Sequence, residues 1–350
     1  MKVLFLVALL IASMATSHGA AAQGPASCDG GTPLDRFACD VPTLGLLNTQ
    51  LRMAEAQTAA ALPADLRPVL AAAQTQWRQY AIDLCLMTPA KAIGDSTTAG
   101  EAVHCLGSVI NARIKDLPRF RERQGALNFQ RREVFAAGPV ADRPPNGQTV
   151  WSVEAAYPAV EGRAPALAVW NQLVADRFAA LLDYDPALGA AIPVTSDELL
   201  DYSVQYATER AIGITWHYWS YGHGAAHGNP ADFAMHYRLD LGRAVAPADV
   251  FADGSGWEAA LAQLSFDELR RQLPAGLYVN GPADIAATVT QPERWQLGGD
   301  GLTIFFNVYE VAAYVEGRQQ AKLPWNRLTR YLRNGAPPDF VTIFPAFLRR

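Results

Sequence analysis

Apolar positions recur at three- and four-residue steps through the first third of the chain and then give way to alternation. Over residues 42–60, Leu44, Leu47, Leu51, Ala54 and Thr58 fall on one stripe, which predicts an amphipathic helix that Pro63 ends. A second helix is predicted from about Asp65 to Met87, with Leu66, Val69, Leu70, Ala73, Trp77, Tyr80 and Leu84 on one side and Pro68 in the first turn, where its missing N–H is harmless. The stretch PAKAIGDSTTAG reads as a loop, and Val103, Leu106, Ile110 and Ile114 restore helical spacing over 101–117. The pattern then breaks. Residues 118–133 are rich in arginine, and GPVADRPPNG is built of turn residues, so 119–147 is read as a linker between domains.

Beyond it the period changes. Residues 149–157 alternate as a strand, and 165–182 are helical through Leu167, Trp170, Val174, Phe178 and Leu181. Three β-rich stretches follow at 199–209, 210–221 and 232–242, rich in Tyr, Trp, Ile and Val. Residues 255–273 return to helix, 294–311 read as strand, Gly-Asp-Gly turn and strand, and 323–332 close with a short amphipathic helix. The expected fold class is α+β: a small, disulfide-stapled, all-α N-terminal domain, then an α+β domain with a mainly antiparallel sheet covered by helices on one side. No internal repeat is visible.

The chain opens with Met1, Lys2 and an apolar run of about ten residues, followed by small residues with Ala20 and Ala22 placed as an A-x-A cleavage signal. Residues 1–22 are therefore expected to be a signal peptide and the mature protein periplasmic or secreted, without a membrane anchor, because the apolar run is well short of the ~20 residues of a spanning helix. Residues 134–350 carry 16 basic and 23 acidic side chains. That balance argues against nucleic acid as a partner and suits a cationic one.

All four cysteines, Cys28, Cys39, Cys85 and Cys105, lie in the first third. In an exported domain an even count reads as two disulfides with three possible connectivities. The simplest pairs are Cys28 with Cys39 and Cys85 with Cys105, each closing a local loop around a helix end. Tight C-x2-C pairs of a zinc site are missing.

Four of the six histidines fall within residues 217–236, around the segment GHGAAHGNP. A metal site would need a third ligand close by, with Asp232 the nearest candidate; the alternative is a glycine-rich connection between strands whose histidines bond to neighbouring backbone. No G-x-S-x-G elbow, P-loop, H-E-x-x-H or strand-to-helix G-x-G-x-x-G is present. The expectation is a protein with no catalytic residue, no metal and no cofactor.

Two resemblances carry a function. The features Cys28, Cys39, Thr43 to Leu47, Gln74, Trp77, Cys85, Cys105, Leu106, Arg113 and Ile114 resemble the LprI-type lysozyme-inhibitor N-terminal family over about residues 26–118. Ala225 to Asn229, Leu241, Gly242, Gly301, Leu302, Phe306, Tyr309, Glu310, Tyr314, Gly317 and Leu323 to Trp325 resemble an RsiV-like DUF3298 domain, and the YPAVEG segment near residue 157 resembles its DUF4163 companion. Together these cover about 148–333 and leave 334–350 as a tail. Both resemblances imply lysozyme binding. They lead to the expectation of a non-enzymatic protein that binds and inhibits lysozyme or another muralytic enzyme, with a sugar- or peptidoglycan-binding envelope module as the alternative and a His-dependent metal protein or hydrolase behind it. The partner-facing residues are expected to be Tyr221, His223 and His227, with Tyr309, Glu310 and Tyr314 as neighbours.

Overall fold

The computed structural model describes residues 32, 34, 35, 39, 41–86, 96–140, 149–184 and 196–341. The predicted signal peptide and Cys28 lie outside the described residues.

Three helices, α1 (Pro42–Ala61), α2 (Arg67–Leu86) and α3 (Ser96–Asp116), form the N-terminal unit. The predicted stripes supply its core: Leu44, Leu51, Leu70, Trp77, Leu106 and Ile110 are buried together. A disulfide joins Cys85 to Cys105 across α2 and α3, with a Cα–Cα distance of 5.6 Å, as the sequence suggests. Cys39 is also disulfide-bonded.

The structure corrects the linker reading. Residues 121–139, within the expected linker, form strands β1 (Arg121–Gln124) and β2 (Leu127–Pro139), paired through a tight turn with Gln124 opposite Leu127. The arginines there are not a solvated spacer. Arg131 and Glu133 are buried and paired with partners from α3 and the sheet, and paired charge is compatible with burial where unpaired charge is not.

Seven strands lie in sequence order: β1, β2, β3 (Val150–Val160), β4 (Ser196–Ala207), β5 (Ala211–Gly222), β6 (Asn229–Arg238) and β7 (Arg243–Ala244). Neighbours are antiparallel except β3 and β4, which run parallel and are connected through helix α4 (Pro165–Leu181). The expectation that one side only is covered also fails. On one face Trp151, Val153, Leu200, Tyr202, Ile212, Ile214 and Trp216 pack against Trp170, Val174 and Phe178 of α4. On the other, Phe135 enters the core of the helical unit, while Tyr206 and Ala211 enter a third core formed by the C-terminal residues.

That third core joins α5 (Pro247–Val250), α6 (Trp257–Gln272), α7 (Pro282–Val289) and a second antiparallel sheet of order β10-β9-β8, with β8 at Trp295–Leu297, β9 at Gly301–Phe306 and β10 at Gln319–Pro324. Strand β10 was not foreseen, and the predicted closing helix shrinks to one turn at Trp325–Leu328 followed by a 3-10 turn. Among the described residues no helix is long and apolar enough to cross a membrane.

Candidate functional site

Alternation on β5 sends Ile212, Ile214 and Trp216 to α4, so His217, Trp219 and Tyr221 take the opposite face. The histidine- and glycine-rich segment is the connection from β5 to β6. Its end is fixed by Gly228, where a Cβ would come within 2.3 Å of the Trp219 indole; only glycine lets the backbone cross that ring.

His227 is exposed at the tip and held from three sides. Its Nδ1 lies 3.0 Å from the Gly228 carbonyl, its Nε2 lies 2.9 Å from the Tyr309 hydroxyl, and its ring stacks on Tyr314 at 3.8 Å between centroids. A carbonyl only accepts, so Nδ1 carries a proton, and in the neutral ring Nε2 accepts from Tyr309. The Tyr314 hydroxyl donates to the same Gly228 carbonyl at 2.7 Å. Tyr309 has φ of 67°, a left-handed backbone that costs a side-chain-bearing residue about 1 kcal/mol or more, yet the residue is 53% exposed.

The turn beneath Tyr309 is rigid. Glu310 accepts the Asn307 N–H at 2.8 Å and pairs with Arg294 at 2.6 and 3.1 Å. The Asn307 side chain in turn accepts the Asp232 N–H at 2.8 Å, closing the part of the β6 edge that the short β7 leaves open. Glu310 thus acts as a brace for this turn.

The six residues expected to face a partner are placed unequally. His227, Tyr309 and Tyr314 form one cluster. Tyr221 donates to the Ala225 carbonyl at 3.1 Å and stacks on Trp219 at 6.2 Å and 16°. The imidazole of His223 is only 4% exposed and lies 3.5 Å from an Asp197 carboxylate oxygen, turned into the protein.

A second group on the same sheet face escaped the sequence reading. Ser203 Oγ on β4 lies 2.9 Å from His217 Nε2 on β5, and His217 Nδ1 lies 2.9 Å from Asp232 Oδ1 on β6. Since the carboxylate only accepts, Nδ1 of the neutral ring carries the proton and Nε2 accepts the serine hydroxyl proton. Gln205 Nε2 donates to Ser203 Oγ at 2.8 Å, and Gln296 Nε2 donates to the Gln205 side-chain oxygen Oε1. Arg318 donates to the Asp232 carboxylate. The His217 side chain is 42% exposed and that of Asp232 10%. The separations, 14 and 15 residues, match no motif; only the pairing of three adjacent strands brings the groups together. Among the described residues no set of three or more His, Cys, Asp and Glu side chains is placed to hold a metal.

Two residues along β4, Asp201 forms the last link of an ionic chain. Arg113 binds Glu133 through two bonds of 2.7 and 2.8 Å and Gln74 through a third of 2.6 Å. Arg131 bridges Glu133 and Asp201 at 3.1 and 2.5 Å, and Arg119 adds 2.7 Å to Asp201. Burial alone would raise the Asp201 carboxyl, but the Arg131 and Arg119 guanidiniums hold it below the usual carboxylate range.

No curated protein matches the chain. Solved structures similar to it include a member of the DUF3298 family from Bacteroides fragilis NCTC 9343, with 18% identity, 62% of this chain and 97% of that one covered and a TM-score of 0.45, and a DUF3298 family protein from Pseudomonas aeruginosa PAO1, with 17% identity, 60% and 97% covered and a TM-score of 0.40. The family described as "Protein of unknown function (DUF3298)" matches residues 248–326; Tyr309, Glu310 and Tyr314 lie inside that segment of similarity, and Tyr221, His223 and His227 before it.

Proposed function

We propose that this protein is an exported envelope protein that binds a cationic muralytic enzyme of the lysozyme type through the aromatic ridge formed by Tyr221, His227, Tyr309 and Tyr314. One observation carries the reading: Tyr309 is held in a left-handed backbone with its ring exposed and braced by His227 and Tyr314. An exposed ring contributes little to a core, so the backbone strain is better explained by contact with a partner. Rigid aromatics on a braced turn lose little freedom on binding, and the acidic balance of residues 134–350 favours encounter with a basic protein. The resemblance of residues 26–118 to lysozyme-inhibitor domains adds the helical unit as a second contact.

Titrating the mature protein into a lysozyme activity assay tests this. The wild type should inhibit at micromolar concentration or below, and Tyr221→Ala with Tyr309→Ala should weaken inhibition by at least about tenfold while lowering the melting temperature by no more than a few degrees. Full lysozyme activity under a large excess of protein would discard it. A second reading rests on the nearly parallel Trp219 and Tyr221 rings, which suit a saccharide; there, soluble peptidoglycan fragments and not the enzyme would quench the tryptophan fluorescence.

A further inference from the structure

We infer that Ser203, His217 and Asp232 form a nucleophilic centre that accepts small acyl groups from esters. The inference is independent of lysozyme binding. Paired His and Asp on a sheet surface are ordinary. What such a pair does not need is a hydroxyl on the remaining imidazole nitrogen at 2.9 Å, nor a carboxamide turned onto that hydroxyl at 2.8 Å by a second glutamine. Together these define every proton: Asp232 holds the Nδ1–H, Nε2 faces Ser203 as base, and Gln205 occupies a lone pair of the oxygen, leaving its hydrogen directed at the imidazole. Asp232 is itself fixed by Arg318 and by Asn307 on its backbone N–H, so the imidazole cannot turn away without breaking that arrangement. Half-exposure of His217 leaves the pair open to a substrate.

The chemistry balances with water as the only co-reactant. Ser203 Oγ forms a bond to the acyl carbon while its proton passes to His217 Nε2. The C–O bond to the leaving alcohol then breaks, and that oxygen takes the proton from Nε2. Water repeats the sequence on the acyl-serine, His217 taking its proton and returning it to Ser203 Oγ.

The site also predicts its own weakness. Ser203 sits within a strand opposite Thr215, where the backbone is committed to the sheet, so its own N–H is not offered as a donor to the developing oxyanion. Losing one such donor slows acyl transfer by about 10²–10³ in enzymes that have two. Covalent capture is therefore a better readout than turnover.

The full mature chain should be incubated with a fluorophosphonate probe and, separately, with 4-nitrophenyl acetate, then followed by intact mass and peptide mapping. The expected result is one adduct, on Ser203, absent from Ser203→Ala and formed at least about a hundredfold more slowly in His217→Asn. Both variants should keep the wild-type melting temperature. No adduct above the Ser203→Ala background, an adduct on another residue, or equal labelling of His217→Asn and wild type overturns the inference. If His217→Asn fails to fold, the Ser203→Ala comparison and the mapped position decide alone.

Discussion

Asp201 and Ser203 stand two residues apart on one face of β4, and their surroundings are opposites. Asp201 ends a chain of guanidiniums and carboxylates in which the Arg113 and Glu133 side chains are 2% and 1% exposed. Its carboxylate meets two arginines, whose charges outweigh the effect of burial and keep it ionised below its ordinary range. Ser203 meets an imidazole that solvent reaches and whose Nε2 is placed to accept its hydroxyl proton. Polar density alone does not mark a site. A saturated cluster holds elements together, here α2 and α3 to the sheet through Gln74, Arg113, Glu133 and Arg131, whereas a cluster with one accessible, uncommitted proton can do chemistry.

The largest expected effect breaks that seam. Glu133→Gln leaves Arg113 and Arg131 facing a neutral amide in a buried place. Removing one partner from a buried ion network costs about 3–5 kcal/mol, here moderated because Gln74 still receives Arg113 and Asp201 still receives Arg131. Denaturant unfolding should show a loss of about 3 kcal/mol. Ser203→Ala, measured the same way, should stay within about 0.5 kcal/mol. Equal losses would erase the distinction between seam and site.

A second test compares histidines. His236 lies on β6, four residues beyond Asp232, but is enclosed: its Nε2 donates to the Trp295 carbonyl at 2.7 Å and its Nδ1 lies 3.1 Å from the Tyr206 hydroxyl. Burial pushes its pKa down from 6.5 to about 4. The unfolded chain therefore takes up a proton near pH 6.5 that the folded chain refuses until about pH 4. The stability it contributes is complete above pH 6.5 and is lost as pH falls between those values, to an extent of about 3 kcal/mol. Urea midpoints should fall through that window, and His236→Gln should flatten the fall while lowering stability at pH 7. An unchanged slope in the variant would assign the acid sensitivity to carboxylates instead.

The sequence made the helices of the N-terminal unit and strands β3 to β6 legible, because Leu44, Leu51 and Trp77, or Ile212, Ile214 and Trp216, fall on a single buried face. It hid β1 and β2, since the charge of Arg131 and Glu133 imitates a solvated linker unless their partners 70 and 20 residues away are known. The same limit hid the serine centre. That His217 leaves the α4 face follows from alternation; that Ser203 and Asp232 flank it depends on register, which the turn between β4 and β5 and the glycine-rich loop set together and which no local pattern encodes. His223 shows the converse: its glycine neighbours suggested an exposed tip, while its imidazole is turned in beside Asp197.

The smallest expected effect concerns Tyr309. Replacing it with glycine removes a left-handed strain of about 1 kcal/mol and a hydrogen bond to His227 at an exposed position, itself worth about 0.5–1.5 kcal/mol. The two nearly cancel, so Tyr309→Gly should leave the unfolding free energy within about 0.5 kcal/mol of wild type. Tyr309→Ala keeps the strain and loses the bond, and should be the less stable of the two by about 1 kcal/mol. Both remove the ring, so both should weaken a partner held by the ridge to the same degree. That pattern, stability divided between glycine and alanine while binding is lost in common, is what a strained, partner-facing aromatic produces. If Tyr309→Gly instead loses more than about 2 kcal/mol, the ring is a structural plug over His227 and Tyr314, and this turn belongs with the saturated seam rather than with the accessible face.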